Sequence, residues 1–304
     1  MNYNRDWQGK TQGGKFGLKP LLLFFRIFPL SVGYFILWFI IPFYILFARK
    51  GYKSIYHYFR ERRGLGPFKS FVNTFKNHYI FGQILLDRFA LFAGKKNVFS
   101  VNVERNDIII DLIAKKRGGI IISSHVGNFE IAGYLFNLGD SKMHGLIFGE
   151  ENPTLLQFRD KILSKNNISL IPVSPDLSHM FTIMNVIKKG EFVAVPGDRS
   201  FHGTRVHSCE FLGKKTNFPT GVFSMAEKLN VPIISLFVMK SGSKAYNIYL
   251  KKIEPDTEKK YNTKQEKIVG HLEVFVKEVE NIVNKYPEQW FNFYDFWGDM
   301  KKST

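Results

Sequence analysis

The chain has 304 residues, of which 45% are hydrophobic and 16% aromatic, and this excludes a wholly disordered, collagen-like or low-complexity protein. Its 43 Lys and Arg against 26 Asp and Glu give a formal net charge of +17, which favours an anionic partner: nucleic acid, acidic lipid headgroups or an acidic protein. The one cysteine, Cys209, excludes an internal disulfide and a multi-cysteine zinc module, and it suits a reducing compartment.

An uncharged apolar segment covers residues 27–48 and is bounded by basic residues on both sides. About 20 apolar residues suffice to cross a bilayer as a helix, and this segment lies too far from the N-terminus for a removable signal. Pro29 and Pro42 would interrupt a helix, so a segment that dips into the membrane without crossing it also fits. The sequence therefore predicts an uncleaved membrane anchor, with spanning and dipping both open.

A basic stretch follows the anchor, with Glu61 as its one acidic residue: Arg49, Lys50, Lys53, Arg60, Arg62 and Arg63. Such clusters beside an apolar segment bind anionic leaflets and favour the cytoplasmic side of a membrane. We predict two parts for the chain. Residues 1–66 form a membrane-anchoring helical and basic segment, and residues 67–304 form a single larger domain.

From about residue 105 short apolar runs alternate with helical patterns. Alternation of this kind predicts an α/β domain in which helices flank a central, mostly parallel or mixed sheet. The predicted strands are 119–123, 145–148, 169–173, 191–195, 232–239 and 246–253. The predicted helices are 130–138, 153–164, 176–189, 221–229 and a final amphipathic helix over 263–285.

The sharpest constellation follows the first predicted strand, where His125 and Glu130 flank a Gly127-Asn128 turn at the start of a helix. α/β folds place active sites where a strand ends and a helix begins. Across such a turn, Glu130 can accept a hydrogen bond from one ring nitrogen of His125 and leave the other nitrogen as a base. The Gly127 and Asn128 amides can supply donors to a developing oxyanion. The spacing alone also fits a structural histidine.

His125-X4-Glu130 after an apolar strand resembles the HX4(D/E) motif of the lysophospholipid acyltransferase superfamily. Later blocks look like the lipid A biosynthesis branch, the lauroyl and myristoyl transferases. Asn152-Pro153 with Arg159 is similar to that family's second block, and Pro-Glu-Gln-Trp at 287–290 matches its last motif. The family's third block consists of an acidic residue, a Phe-X-Gly and a turn into a helix. Similar residues lie at 196–199, 211–213 and 218–221. The resemblance covers roughly residues 115–297.

The resemblance implies an O-acyltransferase in which His125, oriented by Glu130, takes the proton of an acceptor hydroxyl that attacks an acyl thioester. It implies that substrate contacts come from Gly127, Asn128, Arg159, Asp198, Arg199 and Gly213. It implies no cofactor and no metal. The expected partners are acyl carrier protein or acyl-CoA, a lipid acceptor and an anionic membrane, with no nucleic acid. The expected location is the bacterial inner membrane, with the domain facing the cytoplasm.

Two departures concern the acceptor. The third block lacks the family's Asp-Gln-Asp, and residues 291–297 read FNFYDFW where the family has Trp-X-His-(Arg/Lys)-Arg. This ending resembles a divergent subgroup predicted to acylate other lipids or polyene pigments. An amino-acid lipid, a polyene pigment or lysophosphatidate therefore stays open as acceptor. The non-enzyme alternative is a basic membrane-binding or nucleic-acid-binding protein, which only the net charge supports.

Cys209 suggests two further hypotheses. With His202, His207 and Glu210 it could bind a metal ion, but the spacing fits no common zinc pattern. It could also act as an acyl-enzyme nucleophile, which requires a partnered base and an activated thiolate. We expect the Cys209→Ala variant to stay active. We interpret the terminal aromatic residues 290–297 as packing or interfacial anchoring rather than as a cofactor site.

Overall fold

The computed structural model describes residues 15–47, 49–135, 139, 141–147, 163–164, 167–173, 178–200, 204–298 and 300, with only the backbone of 15–19. The helices are α1 (Lys15–Ile27), α2 (Leu30–Phe47), α3 (Arg49–His57), α4 (Pro67–Phe92), α5 (Asp107–Ala114), α6 (Phe129–Leu135), α7 (His179–Lys188), α8 (Gly221–Leu229) and α9 (Lys264–Lys285). The strands are β1 (Ser100–Glu104), β2 (Gly119–Ser123), β3 (Met143–Ile147), β4 (Ile168–Pro172), β5 (Phe192–Pro196), β6 (Val206–Phe211), β7 (Lys214–Pro219), β8 (Ile233–Lys240) and β9 (Ala245–Lys252).

Seven strands form one sheet in the order β1-β9-β8-β2-β5-β3-β4, and β6 and β7 form a separate hairpin. Within the large sheet β8 and β9 run antiparallel, and the other neighbouring strands run parallel. The predicted α/β domain with a mostly parallel, helix-flanked sheet is therefore confirmed. All six predicted strands are present, with ends shifted by at most two residues.

The sheet is covered on both faces, as its parallel strands require. Along β2, Ile120 and Ile122 pack in one core cluster and Ile121 packs in the cluster on the opposite face. Every residue of this strand is buried, because an unbroken apolar run fits a strand that no water reaches on either side. β2 therefore lies at the centre of the domain, and its carboxyl end is held in a fixed place.

Three strands were missed by the sequence patterns. β1 lies at the edge of the sheet and is largely exposed, so it lacks the apolar run of a central strand. β6 and β7 have only six residues each and contain no continuous apolar run of strand length. Most of the predicted helix over 153–164 lies outside the described residues, as do the last part of 130–138 and the first part of 176–189.

The N-terminal helices form a layer on α4. α2 buries a helical stripe against it, consisting of Leu30, Gly33, Tyr34, Leu37 and Ile41. A Cβ atom on Gly82 of α4 would lie 3.0 Å from Leu37, so the absence of a side chain there allows the two helices to approach closely. Pro42 lies inside α2 and does not interrupt it, whereas Pro29 separates α1 from α2. By length and composition α2 is one candidate membrane-crossing helix.

α4 joins this helical layer to the α/β domain through a buried polar face. Asn77 is fully buried, and its amide donates to the backbone carbonyls of Glu288 (3.0 Å) and Trp290 (2.9 Å). Ile55 and Tyr58, which precede α4, pack in the same core cluster as Trp290. The N-terminal helices are therefore packed against the domain along α4 and are not separated from it by a linker.

Candidate active site

His125 and Asp198 lie side by side because two neighbouring parallel strands end together. The register of β2 and β5 pairs Ser123 with Pro196. His125 and Asp198 each lie two residues beyond these paired positions, so they are at the same level beyond the carboxyl edge of the sheet. The backbone stays paired here, since the Gly197 amide donates to the Ser123 carbonyl at 2.8 Å. This is the edge at which open α/β sheets bind ligands.

Asp198 makes two hydrogen bonds to His125. One carboxylate oxygen accepts from the His125 backbone amide and the other contacts ring Nδ1, both at 2.9 Å. An ionised carboxylate can only accept, so Nδ1 carries the ring hydrogen and Nε2 is left with a lone pair. The His125 side chain is 22% exposed while that of Asp198 is 4% exposed. The pair therefore presents one basic nitrogen to the outside of the sheet edge.

The charge of Asp198 is stabilised locally. Burial alone raises the pKa of this carboxyl group, but the interactions with His125 and Arg199 outweigh burial and hold the pKa below its usual value. An ionised Asp198 in turn favours a positive charge on the neighbouring imidazole. The pair is therefore suited to a histidine that becomes cationic during a reaction.

The structure places Asp198, and not the predicted Glu130, at Nδ1 of His125. Glu130 lies in the first turn of α6 and accepts a hydrogen bond from Arg88 of α4 at 2.5 Å. The turn of the chain directs the Glu130 carboxylate toward the packed helix α4, a direction that the five-residue spacing alone does not determine. Glu130 thus forms a second charged pair near the site with Arg88, which sequence reasoning missed. Phe129, the neighbour of Glu130 in the chain, contacts the His125 ring edge to face.

The two backbone amides proposed as oxyanion donors are occupied. The Gly127 amide donates to the Gln289 carbonyl at 2.8 Å, and the Asn128 amide donates to the Val238 carbonyl at 2.7 Å. Asn128 is buried, and its side-chain oxygen accepts from the Ile131 amide at the start of α6. In this structure the hydrogens of both amides therefore hold the turn, and the oxyanion role of the two amides stays a prediction.

The turn that carries His125 is clamped between β8 and the Pro-Glu-Gln-Trp segment. Val126 forms a backbone bridge with Trp290, and the Phe291 amide donates to the His125 carbonyl at 3.0 Å. Gly127 has a φ of 65°, and a Cβ atom there would lie 2.2 Å from the Val238 carbonyl oxygen. Only glycine fits this left-handed, crowded position. The Pro-Glu-Gln-Trp motif therefore holds the backbone of the turn that carries His125.

The other predicted substrate contacts lie in different places. Arg199 follows Asp198 directly, and its guanidinium group lies 5.5 Å from the ring centroid of Tyr294. Gly213 lies at the exposed tip of the β6–β7 hairpin, where Leu212 and Gly213 both have positive φ angles of 51° and 74°. Positive φ at both central residues is the signature of a two-residue hairpin turn, which accounts for this glycine locally. Arg159 lies outside the described residues.

A buried polar cluster contacts the turn that follows His125, and sequence reasoning missed it. Asp87 of α4 is fully buried and accepts a hydrogen bond from the Lys240 ammonium at 2.6 Å. It also accepts hydrogen bonds from the hydroxyls of Tyr34 and Tyr246. The Asn128 amide group donates to the Tyr246 hydroxyl at 3.4 Å, which connects the cluster to the turn after His125. In the sequence, the sign of this cluster is Lys240, a charged residue that ends the apolar run of β8.

The geometry defines what this edge can do chemically. A histidine whose Nδ1 is held by a buried carboxylate can take a proton at Nε2 and return it. Three separate segments fix the backbone around His125, and the contact of Nδ1 with Asp198 fixes the orientation of the ring. Such an arrangement activates a hydroxyl nucleophile, as the histidine and aspartate of hydrolases do.

Comparison with known proteins agrees with this chemistry. A family model described as bacterial lipid A biosynthesis acyltransferase matches residues 79–298. A search of the curated proteins returned no significant match. The matched region begins inside α4 and therefore includes Arg88 as well as His125, Asp198 and the Pro-Glu-Gln-Trp segment. Because the match extends over well more than half of the chain, the protein belongs to the bacterial lipid A biosynthesis acyltransferase family.

Proposed function

We propose that this protein moves a fatty acyl chain from an acyl thioester to a hydroxyl of a lipid A-type precursor or a related lipid. The observation that carries the proposal is the pair of hydrogen bonds that His125 donates to Asp198, which leaves Nε2 as the base. Family membership supports acyl transfer as the reaction type. The donor, the acceptor and the residue roles are the proposal.

In the proposed reaction, Nε2 of His125 accepts the proton of the acceptor hydroxyl as its oxygen attacks the thioester carbonyl carbon. A C–O bond forms and the carbonyl becomes a tetrahedral oxyanion. When this collapses, the C–S bond breaks, and the imidazolium returns its proton to the leaving thiolate. General base help of this kind contributes about 10²–10⁴-fold to a rate. Asp198 serves as the positioning residue that fixes the tautomer and stabilises the cation.

We assign the charge-stabilising and substrate-binding roles to side chains rather than to the Gly127 and Asn128 amides, since those amides are occupied. Arg199 lies next to Asp198, and Arg159 falls in the second family block, so both are proposed to contact the substrates. A guanidinium group forms paired hydrogen bonds with phosphate, the common element of carrier and lipid acceptor. Glu130 is proposed to act through Arg88, whose guanidinium it holds at the start of α6.

The net charge and the apolar helix α2 support a location at a membrane. Family members are typically membrane-associated, and one long apolar helix is present in α2. We propose the bacterial inner membrane, with the α/β domain facing the cytoplasm, where acyl carrier protein or acyl-CoA is found. The net charge of +17 suits both an acidic carrier and an anionic leaflet.

The cellular test compares the lipids of a strain carrying the wild-type chain with those of a His125→Ala strain. We expect one acylated lipid species to disappear and its acceptor, lighter by one acyl chain, to accumulate. The mass difference identifies the acyl length, and the acceptor is then identified as a lipid A precursor, another lipid or a pigment. An unchanged lipid profile would contradict the proposal. Purified enzyme supplied with acyl carrier protein or with acyl-CoA separates the two donors.

A further inference from the structure

We infer that α1, α2 and the start of α4 form an apolar plate that lies in the plane of one leaflet of an anionic bilayer, so that α2 does not cross the membrane. This inference rests on the membrane location in the proposed function and adds the topology of the chain. It also names the surface that meets the lipid.

The exposed apolar surface of the protein is concentrated in this region. Among the described residues, the exposed large hydrophobic side chains lie between Leu23 and Phe71, apart from Ile110, Phe181 and Val206. The members on α2 are Phe35, Ile36, Trp38, Phe39, Ile40, Phe43, Tyr44, Leu46 and Phe47. Soluble proteins rarely expose a contiguous apolar patch of this kind, and such patches mark interaction surfaces. The opposite stripe of α2 is already buried against α4.

Both ends of α2 are fixed to the same α/β domain. Near its start, the Tyr34 hydroxyl lies 3.0 Å from the Lys240 ammonium of β8. Just beyond its end, Gly51 lies against Phe293, with a Cβ position 3.4 Å from that side chain. Ile55 of the same helix, α3, is fully buried in the main core cluster. A helix fastened at both ends to one body lies along that body.

A membrane-crossing α2 would carry the domain into the bilayer. Leu37 and Ile41, near the middle of α2, contact Gly82 of α4. One helical turn before Gly82, the buried His78 bonds a backbone carbonyl, and its neighbour Asn77 bonds the carbonyls of the 288–290 segment. If α2 spanned, the α/β domain that is bonded to α4 at residues 288–290 would lie at the depth of the hydrocarbon core, and its polar surface would be taken out of water at a large free-energy cost.

The charge pattern selects lipid as the occupant. Residues 15–60 contain seven Lys or Arg and no Asp or Glu. Arg26, Arg49 and Lys50 are exposed at the two ends of α2, beside the apolar side chains. An apolar face rimmed by basic residues, with aromatic residues on it, is the pattern of helices that lie in the interface of anionic membranes. A second copy of the chain would place these cations against each other.

Depth measurements on single-cysteine variants test the topology. In the full-length Cys209→Ala background, a fluorophore is attached in turn to F28C, F39C and F47C, and lipids carrying quenchers at known depths are used in phosphatidylglycerol vesicles. α2 is about 27 Å long at 1.5 Å per residue, enough to resolve a span. We expect the three depths to agree within about 5 Å and to be shallow. A deep probe at F39C, with shallow probes at F28C and F47C near opposite faces of the bilayer, would overturn the inference.

Two controls make the test independent of catalysis. I110C, on the exposed surface of α5, is expected to escape quenching. F43D is expected to weaken vesicle binding at least tenfold and F181D, at a similarly exposed position on α7, to leave it unchanged. Unquenched probes in an oligomeric protein would identify a second copy as the occupant and overturn the inference. Equal depths in a chain that transfers no acyl group would contradict the proposed function alone.

Discussion

Asp198 holds His125 at two points, the backbone amide and ring Nδ1, each at 2.9 Å. The two contacts fix both where the residue lies and how its ring is turned. Both contacts follow from the register of β2 and β5, so the geometry of the pair is a consequence of strand order.

Replacement of Asp198 by Asn should lower kcat by about 10²–10⁴-fold with little change in KM, because the ring loses the charge that stabilises its cationic form. The rate should be measured with saturating donor and acceptor between pH 6 and 9. Asp111→Asn, at an exposed ion pair on α5, provides the matched control and should keep the wild-type rate. A wild-type rate for Asp198→Asn would show that His125 does not depend on it.

Replacement of Glu130 by Gln should reduce the rate less than replacement of Asp198 by Asn, because Glu130 bonds Arg88 whereas Asp198 bonds the His125 ring directly. Arg88→Ala should reproduce the Glu130→Gln defect, and the double variant should be no worse than either single variant. A Glu130→Gln defect larger than that of Asp198→Asn would restore Glu130 as the partner of His125 during turnover.

Replacement of Gly127 by Ala should abolish activity and lower the melting temperature. The added methyl group would lie 2.2 Å from the Val238 carbonyl oxygen and 2.7 Å from the Met239 sulfur, in a backbone conformation that L-residues rarely adopt. Gly221→Ala, in open space at the start of α8, is the matched control and should be neutral. Full activity in Gly127→Ala would mean that the turn is not clamped.

Replacement of Asp87 by Asn should lower the free energy of unfolding by about 3–5 kcal/mol, because it leaves Lys240 as a buried, uncompensated cation. Burial already raises the pKa of Asp87 and lowers that of Lys240, and the attraction between them opposes both shifts. Denaturant titration in detergent measures the loss. Asp111→Asn should change stability by only about 0–1 kcal/mol, as exposed pairs do. Equal effects of the two substitutions would contradict a structural role for the cluster.

Cys209 should be chemically inert in the folded protein and dispensable for transfer. Burial, together with a smaller effect of the negative charge of Glu273, raises the pKa of the Cys209 thiol to about 11. Roughly one thiol in a thousand is therefore ionised at pH 8. Reaction with a thiol reagent should be slow at pH 8 and should accelerate as the pH approaches 11. Ser241→Cys, at an exposed position, should react promptly. Loss of transfer in Cys209→Ala would support the acyl-enzyme hypothesis.

The fold was predictable where local patterns determine it. Runs such as residues 119–123 and 233–240 are apolar and rich in β-branched residues because those strands are buried on both faces. The edge strand β1 and the hairpin of β6 and β7 could not be predicted, because these partly exposed strands contain no continuous apolar run. For the terminal aromatic residues the sequence left packing and interfacial anchoring open, and in the structure Trp290 and Phe296 are buried and in contact with each other.

The candidate site was predictable only in part. His125 stands out at a strand end, but its partner Asp198 is 73 residues away and becomes its neighbour only through strand order. Glu130 is close in sequence, yet the first turn of a helix directs its side chain to α4. The motif residues at 287–290 were visible, whereas their contacts with the turn at Val126 and Gly127 depend on the folded chain.

The most direct test of the central claim is acyl transfer from a radiolabelled acyl thioester to a lipid extract by the purified wild-type and His125→Ala proteins. We expect the wild-type chain to place label in one lipid, with no label on the protein. His125→Ala should bind the vesicles normally and transfer label at least 10²-fold more slowly. A wild-type rate in His125→Ala, or label held covalently on the protein, would contradict direct transfer by a histidine base.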